Sequence, residues 1–256
     1  MIIEHYHHNT FMNKNIVVIT AMNGLVDITY KQYCINTWLY WCNKNGVELF
    51  VLDTPITDTS HMKPTWQRWH VFDIFEANNI KYNQIALVDV DTMIRWDAPN
   101  FFNITDNKFS ACVDNDNVGW VVQSINGYQK YFPKIKFDWV SYFNCGFIVM
   151  NKVHLEMCKK ITDFWYFNQS QLLIDQSTLR KGTDQTPVNY IVRESNININ
   201  YLDKKWNLTH LNRKEILQNF MFTDCGYIWH FNGFDKELRQ NIMNQTWNQF
   251  KQFYEN

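Results

Sequence analysis

Residues 85–91 read Ile85-Ala86-Leu87-Val88-Asp89-Val90-Asp91. Four consecutive apolar residues, with β-branched Ile85 and Val88 at either end, predict a strand buried on both faces. Two acids at the end of such a strand call for a positive partner, because an unpaired carboxylate beside a dry core is costly. Residues i and i+2 of a strand share a face, so Asp89 and Asp91 can point at one object. Hard oxygen ligands at that spacing suit Mg²⁺ or Mn²⁺, ions that commonly arrive with a phosphate. Taken alone, the same residues also fit a strand end with two solvated acids.

Working outward, strands and helices alternate. Ile16 to Ile19 is an apolar run that predicts the first buried strand, and Asp27 could cap the helix that follows. In that helix Tyr30, Cys34, Trp38 and Trp41 recur every three to four residues. Residues 47–53 predict a second strand, 66–78 a helix, and 85–91 the third strand. This alternation argues for an α/β fold with a mainly parallel sheet covered on both faces, in which ligands bind beyond the carboxyl ends of the strands. Thr20, Ala21, Asn23, Asp89 and Asp91 all fall at such ends. Phe109 to Val113 is a further strand, running into Asp114-Asn115-Asp116. Residues 121–140 show no period and are read as an excursion over the site. Residues 152–167, 185–193 and 235–254 predict helices. Residues 1–14 form a polar, His-rich arm, and 15–256 one domain.

A second constellation lies at Tyr227-Ile228-Trp229-His230-Phe231-Asn232-Gly233-Phe234-Asp235-Lys236. A short apolar strand ends in His230, Gly233 follows three residues on, and Lys236 three after that. A neutral imidazole can complete an ion's coordination. Gly233 can let the backbone approach a phosphate, and Lys236 can neutralise a phosphate oxygen. Two further stretches carry candidates. Tyr142-Phe143-Asn144-Cys145-Gly146-Phe147-Ile148-Val149-Met150-Asn151 is a buried strand opening on an amide, and Asp184-Gln185-Thr186-Pro187-Val188-Asn189 opens a helix. Read locally, Asn144 caps a turn, Asp184 is an N-cap, Arg68 is a surface charge, and Asp114 and Asp116 are loop acids.

Together these stretches resemble the glycosyltransferases of family 8, the glycogenin and lipopolysaccharide galactosyltransferase type. The family's D-x-D is similar to Asp89-Val90-Asp91, its F-N-x-G-(apolar)-N strand to 143–151, its D-Q-x-x-x-N to 184–189, and its H-x-x-G-x-x-K to His230, Gly233 and Lys236. The order is kept over about residues 15 to 236. Two departures stand out: the segment between Arg68 and Asp89 is several residues longer than usual, and Cys145 replaces a small residue. The resemblance implies a GT-A fold and transfer of a hexose from a nucleotide sugar, UDP-glucose or UDP-galactose, with retention of configuration. The acceptor would be a hydroxyl of a carbohydrate, glycolipid or protein. It implies Asp89, Asp91 and His230 as ligands of Mn²⁺ (or Mg²⁺), and Thr20, Ala21, Asn23, Gly233 and Lys236 around the nucleotide and diphosphate. Arg68, Asp89, Asn144, Gly146, Asp184 and Gln185 would hold the donor sugar. Asn144, Asp184 and Gln185 would form the catalytic set, and Asp114 would face the acceptor. Two other readings compete. Asp89-Val90-Asp91-Thr92 also fits the nucleophile motif of haloacid-dehalogenase-type phosphatases, and a binding relic without turnover would keep the same ligands.

Composition narrows the class. The net charge of −1 gives no general field for nucleic acid or anionic membranes. Aromatic residues make up 17% of the chain, which argues for a packed core and against disorder. No apolar run approaches the roughly 18 residues of a membrane span, and no secretory leader is legible. The six cysteines form no C-x-x-C pair and are expected as buried free thiols in a cytoplasmic protein, whether free or peripheral to a membrane. The sequons at Asn103, Asn168, Asn207 and Asn244 are then accidents of an Asn-rich chain, of a kind that suits an AT-rich viral or bacterial genome.

Overall fold

The computed structural model describes residues 4–6, 14–22, 28–114, 117–179 and 184–255, with only the backbone for 4–6 and 28–30. Asn23, Asp27, Asn115 and Asp116 lie outside the described residues, and so does most of the His-rich arm. Glu4–Tyr6 is the exception within that arm. It forms strand β1, antiparallel to a later strand at the edge of the sheet.

Strand β2 (Lys14–Thr20) leads to helix α1 (Ile28–Asn45) and strand β3 (Glu48–Leu52). Helical turns α2 (Pro64–Gln67) and Arg68–His70 and helix α3 (Val71–Ala77) then return the chain to β4 (Tyr82–Asp89). After the three-residue β5 (Thr92–Ile94) come β6 (Phe109–Val113), α4 (Val118–Tyr128), β7 (Phe143–Asn151) and the long α5 (Leu155–Leu179). Helix α6 (Gln185–Glu194) and strand β8 (Ile199–Leu202) precede the helical turns α7 (Lys214–Leu217) and α8 (Phe222–Cys225). Strand β9 (Ile228–His230), helix α9 (Lys236–Phe250) and a helical turn at Lys251–Phe253 end the described fold.

Seven strands pair in the order β1-β3-β2-β4-β7-β6-β8, and β5 pairs with β9 in a separate ribbon. The β3-β2-β4 block is parallel and β6-β8 is parallel, while β1 and β7 run the other way. This is the mixed, mainly parallel sheet expected from the alternation.

The continuous apolar runs divide by the two-residue period of a strand. Ile16, Val18, Ile85 and Leu87 enter one core, with α3, α4, α5 and α6. Val17, Ile19, Ala86 and Val88 enter the other, with α1 and α9. There Trp41 stacks on Phe101 at 4.7 Å between centroids, and the Trp41 indole nitrogen donates to the Ala98 carbonyl at 2.8 Å. The anchored indole satisfies its one donor while burying its full apolar area.

Three expectations are corrected here. Residues 121–140 are not a structureless excursion. Helix α4 occupies their first part, burying Val121, Ser124, Ile125 and Tyr128 at helical spacing, and its amide cap is Asn117, whose side chain accepts from the Trp120 N–H. Helix α5 runs to Leu179, a full twelve residues beyond the predicted stop at Phe167. Its far half is polar, but Leu172 is fully buried and anchors it. Among the described residues no helix is long and apolar enough to cross a membrane. All six cysteines are free, five of them buried, while Cys225 is exposed, unlike the buried thiol expected of it.

Candidate active site

Strands β2 and β4 are parallel neighbours whose register sets Thr20 beside Asp89, so both reach the same carboxyl edge. Beyond Asp89 the chain turns into β5, which pairs antiparallel with β9 so that Thr92 lies opposite His230. The pairing continues one residue further, where the Phe231 N–H donates to the Asp91 carbonyl at 2.8 Å. Backbone pairing, independent of any ligand, thus brings two motifs far apart in the chain to one point. There His230 Nε2 lies 3.2 Å from Asp91 Oδ1 and 3.7 Å from Asp89 Oδ2. One potential ligand atom from each of Asp89, Asp91 and His230 falls within 4.8 Å of the others. Two hard carboxylates and one imidazole make a donor set that fits Mg²⁺ or Mn²⁺.

The electrostatics are those of mutual support. Burial alone would raise the Asp91 carboxyl, but His230 beside it holds it below its ordinary value. Burial likewise pulls the His230 imidazole down, yet Asp91 and then Asp89 raise it on balance. Asp89 is pushed up by burial against the pull of Arg68 and His230.

Arg68 was read locally as a surface charge, and the structure corrects that reading. It is 2% exposed and bridges two acids, with Nη1 at 2.5 Å from Asp89 Oδ1 and Nη2 at 2.8 Å from Asp184 Oδ2. Burial would lower the guanidinium's pKa, but Asp184 and Asp89 hold it above its ordinary value. Trp69 reinforces the arrangement, its indole N–H donating to Asp184 Oδ2 at 2.9 Å. Asp184 stands at the N-cap position of α6 but makes no side-chain cap bond. The expected capping role is therefore also corrected, since Arg68 and Trp69 claim its carboxylate.

On the other side of the acid pair, α6 clamps β7 with two amides one helical turn apart. Asn189 Oδ1 accepts from the Phe143 N–H at 3.0 Å and its Nδ2 donates to the Phe143 carbonyl at 2.9 Å. Gln185 Oε1 accepts from the Cys145 N–H at 3.1 Å, and its Nε2 donates to Asp114 Oδ2 at 2.9 Å. Asn144 Nδ2 donates to the same Asp114 oxygen at 3.1 Å. Asp114 is thus buried and holds both candidate sugar-binding amides. Asn151, the last residue of the β7 motif, is a cap, accepting from the Val153 N–H at 3.1 Å.

Gly146 shows why this strand carries a glycine. A Cβ there would lie 2.2 Å from His230 Cε1 and 2.9 Å from Asn144 Oδ1, so the His230 imidazole packs directly on bare backbone. Gly233 has a different reason, a left-handed backbone with φ of 76°. It begins the turn in which Asp235 caps α9 through the Leu238 N–H at 2.9 Å, and Lys236 is the first helical residue. Thr20 Oγ1 is buried at the strand end without a hydrogen-bond partner among the described residues, as suits a ligand contact. The Ala21 N–H donates to the Leu52 carbonyl at 2.9 Å, which ties this end of β2 to β3.

Two residues joined to the site were not singled out by sequence. Asn207 bonds both His230 and Asn144. Arg239 reaches Asp91 Oδ2 at 3.5 Å while its Nε and Nη2 hold the carbonyls of Phe231 and Phe234 at 2.9 and 3.1 Å. Arg239 had a legible signal: with Lys236 it puts two cations in the first turns of a helix, where the macrodipole disfavours them. Asn207 had none beyond its place in a sequon.

No protein-family model matches the chain, and no curated protein matches it in sequence. Solved structures do resemble it. A glycosyltransferase involved in the glycosylation of the major capsid of PBCV-1 aligns with a TM-score of 0.61, covering 91% of this chain and 100% of that one at 10% identity. The glycosyltransferase GlyE of Streptococcus pneumoniae TIGR4 aligns at 0.50 over 94% of this chain and 64% of its own, with 12% identity. The WbbM bifunctional glycosyltransferase aligns at 0.52 over 98% of this chain and 52% of its own, with 14% identity. The chain therefore spans only part of the latter two. At these identities the likeness is one of fold: the chain has the GT-A architecture of these glycosyltransferases.

Proposed function

We propose that this protein is a metal-dependent glycosyltransferase that moves a hexose from a nucleotide sugar, UDP-glucose or UDP-galactose, to a hydroxyl acceptor with retention of configuration. The observation that carries the reading is the convergence of Asp89, Asp91 and His230 at the carboxyl edge of the sheet, flanked by the Arg68–Asp184 pair. Asp89, Asp91 and His230 would hold Mn²⁺ or Mg²⁺, which when bound neutralises charge on the diphosphate as the bond to the sugar breaks. Lys236 and the Gly233 turn receive the diphosphate. Arg68, Asp184 and Asn144 orient the donor sugar, and Asp114 fixes the two amides next to it.

If the reaction retains configuration, the bonds of Gln185 favour a front-side route over double displacement. Its carbonyl accepts from the Cys145 N–H and its amino group donates to Asp114, so both ends are committed and neither serves as a nucleophile. In a front-side reaction the anomeric carbon exchanges its phosphate oxygen for the acceptor oxygen, and the departing phosphate takes the acceptor proton. With an α-configured donor the product is expected to keep the α linkage. The anomeric proton coupling of the purified product reads this directly, and a β linkage would overturn the mechanism and point to Asp114 as a base. The phosphatase reading fits less well, because β4 borders antiparallel β7 and the acid pair is joined by His230.

The test of the whole reading is release of UDP from UDP-glucose or UDP-galactose in the presence of Mn²⁺, abolished by a chelator and by Asp91→Asn. Phosphate release, or binding without turnover, would replace it with one of the competing readings. Lys236→Ala is expected to lower turnover by roughly 10²–10³-fold while leaving the fold intact, as removal of a preorganised charge stabiliser commonly does. Wild-type turnover on every accepted donor would remove Lys236 from the site.

A further inference from the structure

We infer that Asn207 is a positioning residue that fixes the ring of His230 in its Nδ1–H tautomer, leaving Nε2 free for an ion held between it and Asp89 and Asp91. The inference starts from a group whose role is unambiguous. The Gly146 backbone N–H can only donate, and it meets Asn144 Oδ1 at 2.7 Å. That end of the Asn144 side chain is therefore the carbonyl. The same oxygen faces the Asn207 amide at 2.9 Å, so Asn207 presents its Nδ2 there. Its opposite end, the carbonyl Oδ1, then lies 3.0 Å from His230 Nδ1 and must receive a proton from it. In the neutral imidazole only one nitrogen carries hydrogen, so with Nδ1 protonated it is Nε2 that would be free for an ion held between it and the two carboxylates.

Every link is rigid. Asn207 is 1% exposed and His230 is 2% exposed. The backbone also holds the two residues in step: the Leu208 N–H donates to the Ile228 carbonyl and the His230 N–H to the Leu208 carbonyl, both at 2.9 Å. The chain of bonds thus runs from a β7 backbone amide, through the sugar-site Asn144, to the metal-site imidazole. Asn207 opens a sequon, but the folded protein has already used both ends of its side chain. The choice of Nε2 as a ligand rests on the metal reading proposed above, whereas the tautomer does not.

The test separates the two. Full-length protein with ¹⁵N-labelled histidine, metal-free and loaded with diamagnetic Mg²⁺, reports whether Nδ1 of His230 carries a proton in each state. His230→Gln identifies the signal. Protonation at Nδ1, against the usual preference of imidazole for Nε2–H, is the expected result, and an Nε2–H ring would overturn the inference. Mn²⁺ titration of the variants is the second readout. Asn207→Leu should weaken Mn²⁺ binding by roughly 10–100-fold, the usual effect of losing a partner behind a ligand. Asn207→Asp keeps an acceptor for Nδ1 and should stay near wild type in Mn²⁺ binding. Its loss falls on the donor KM instead, because a carboxylate cannot donate to Asn144. A folded Asn207→Leu with wild-type affinity, or an aspartate variant no better than leucine, would overturn the assignment. If the leucine variant does not fold, the wild-type tautomer and the aspartate variant decide. A wild-type protein with Nδ1–H but no Mn²⁺ binding would uphold Asn207 and sink the metal reading.

Discussion

Replacing Arg68 with methionine is expected to destabilise the protein by about 3–5 kcal/mol, the range for removing one partner of a buried ion pair. The loss arises because Asp184 and Asp89 are left facing each other's charge with no guanidinium between them. Asp89 keeps 31% of its side chain exposed and can be hydrated, whereas Asp184 at 4% cannot, so most of the penalty falls on Asp184. For a chain of this size the melting temperature should fall by roughly 10 °C. Lysine should not rescue it, since one ammonium cannot span two carboxylates as a planar fork does. Adding Asp184→Asn to Arg68→Met should recover part of the lost stability, because the buried charge goes with its partner. Thermal melts of the single and double variants measure this, and an Arg68→Met protein melting like wild type would show that the bridge contributes nothing.

Gly146→Ala is expected to have the second large effect, on function more than on folding. One methyl group would overlap the His230 ring at 2.2 Å and crowd Asn144 Oδ1 at 2.9 Å. The backbone has little room to yield, because β7 pairs with β4 from Phe147 onward and the Cys145 N–H is held by Gln185 Oε1 at 3.1 Å. The imidazole must swing away, breaking its bond to Asn207 and its approach to Asp91. Mn²⁺ affinity should drop by at least roughly 10²-fold, as it would for a lost ligand together with its supporting partner. Gly233→Ala is the contrast. No atom lies within 4 Å of its added Cβ, so its cost is the left-handed backbone, about 1 kcal/mol. Calorimetric Mn²⁺ titration of the two alanine variants distinguishes the effects, and equal affinities would refute the packing argument.

The parts of this molecule that could be read in advance are those in which chemistry and local periodicity coincide. The runs at 16–19 and 85–88 announced a two-faced sheet because each successive side chain had to meet a different core. Asp89, Asp91, His230 and Lys236 were legible because charge or imidazole stood at strand and helix ends, where cores do not need it. Helix α4 was missed although Val121, Ser124, Ile125 and Tyr128 keep helical spacing, since exposed Val118 and Val122 blur its stripe and Gly119 and Gly127 weaken its propensity. The burial of Arg68 could not be read because it depends on Asp184, a residue distant in sequence. Asn207 was invisible for the same reason: an amide carries no local mark of what it will bond.

The β5–β9 ribbon has a consequence for how the protein comes to be. Its two strands are three residues each, and one lies in the first half of the chain while the other lies near its end. The sheet from β2 to β7 is closed by segments that leave the ribosome early, but His230 follows Asp91 by on the order of ten seconds of synthesis. Throughout that interval the acid pair has no imidazole beside it. On the metal reading proposed above, a nascent chain stalled before residue 228 would carry the paired sheet and the acid pair but lack the third of the three candidate ligands.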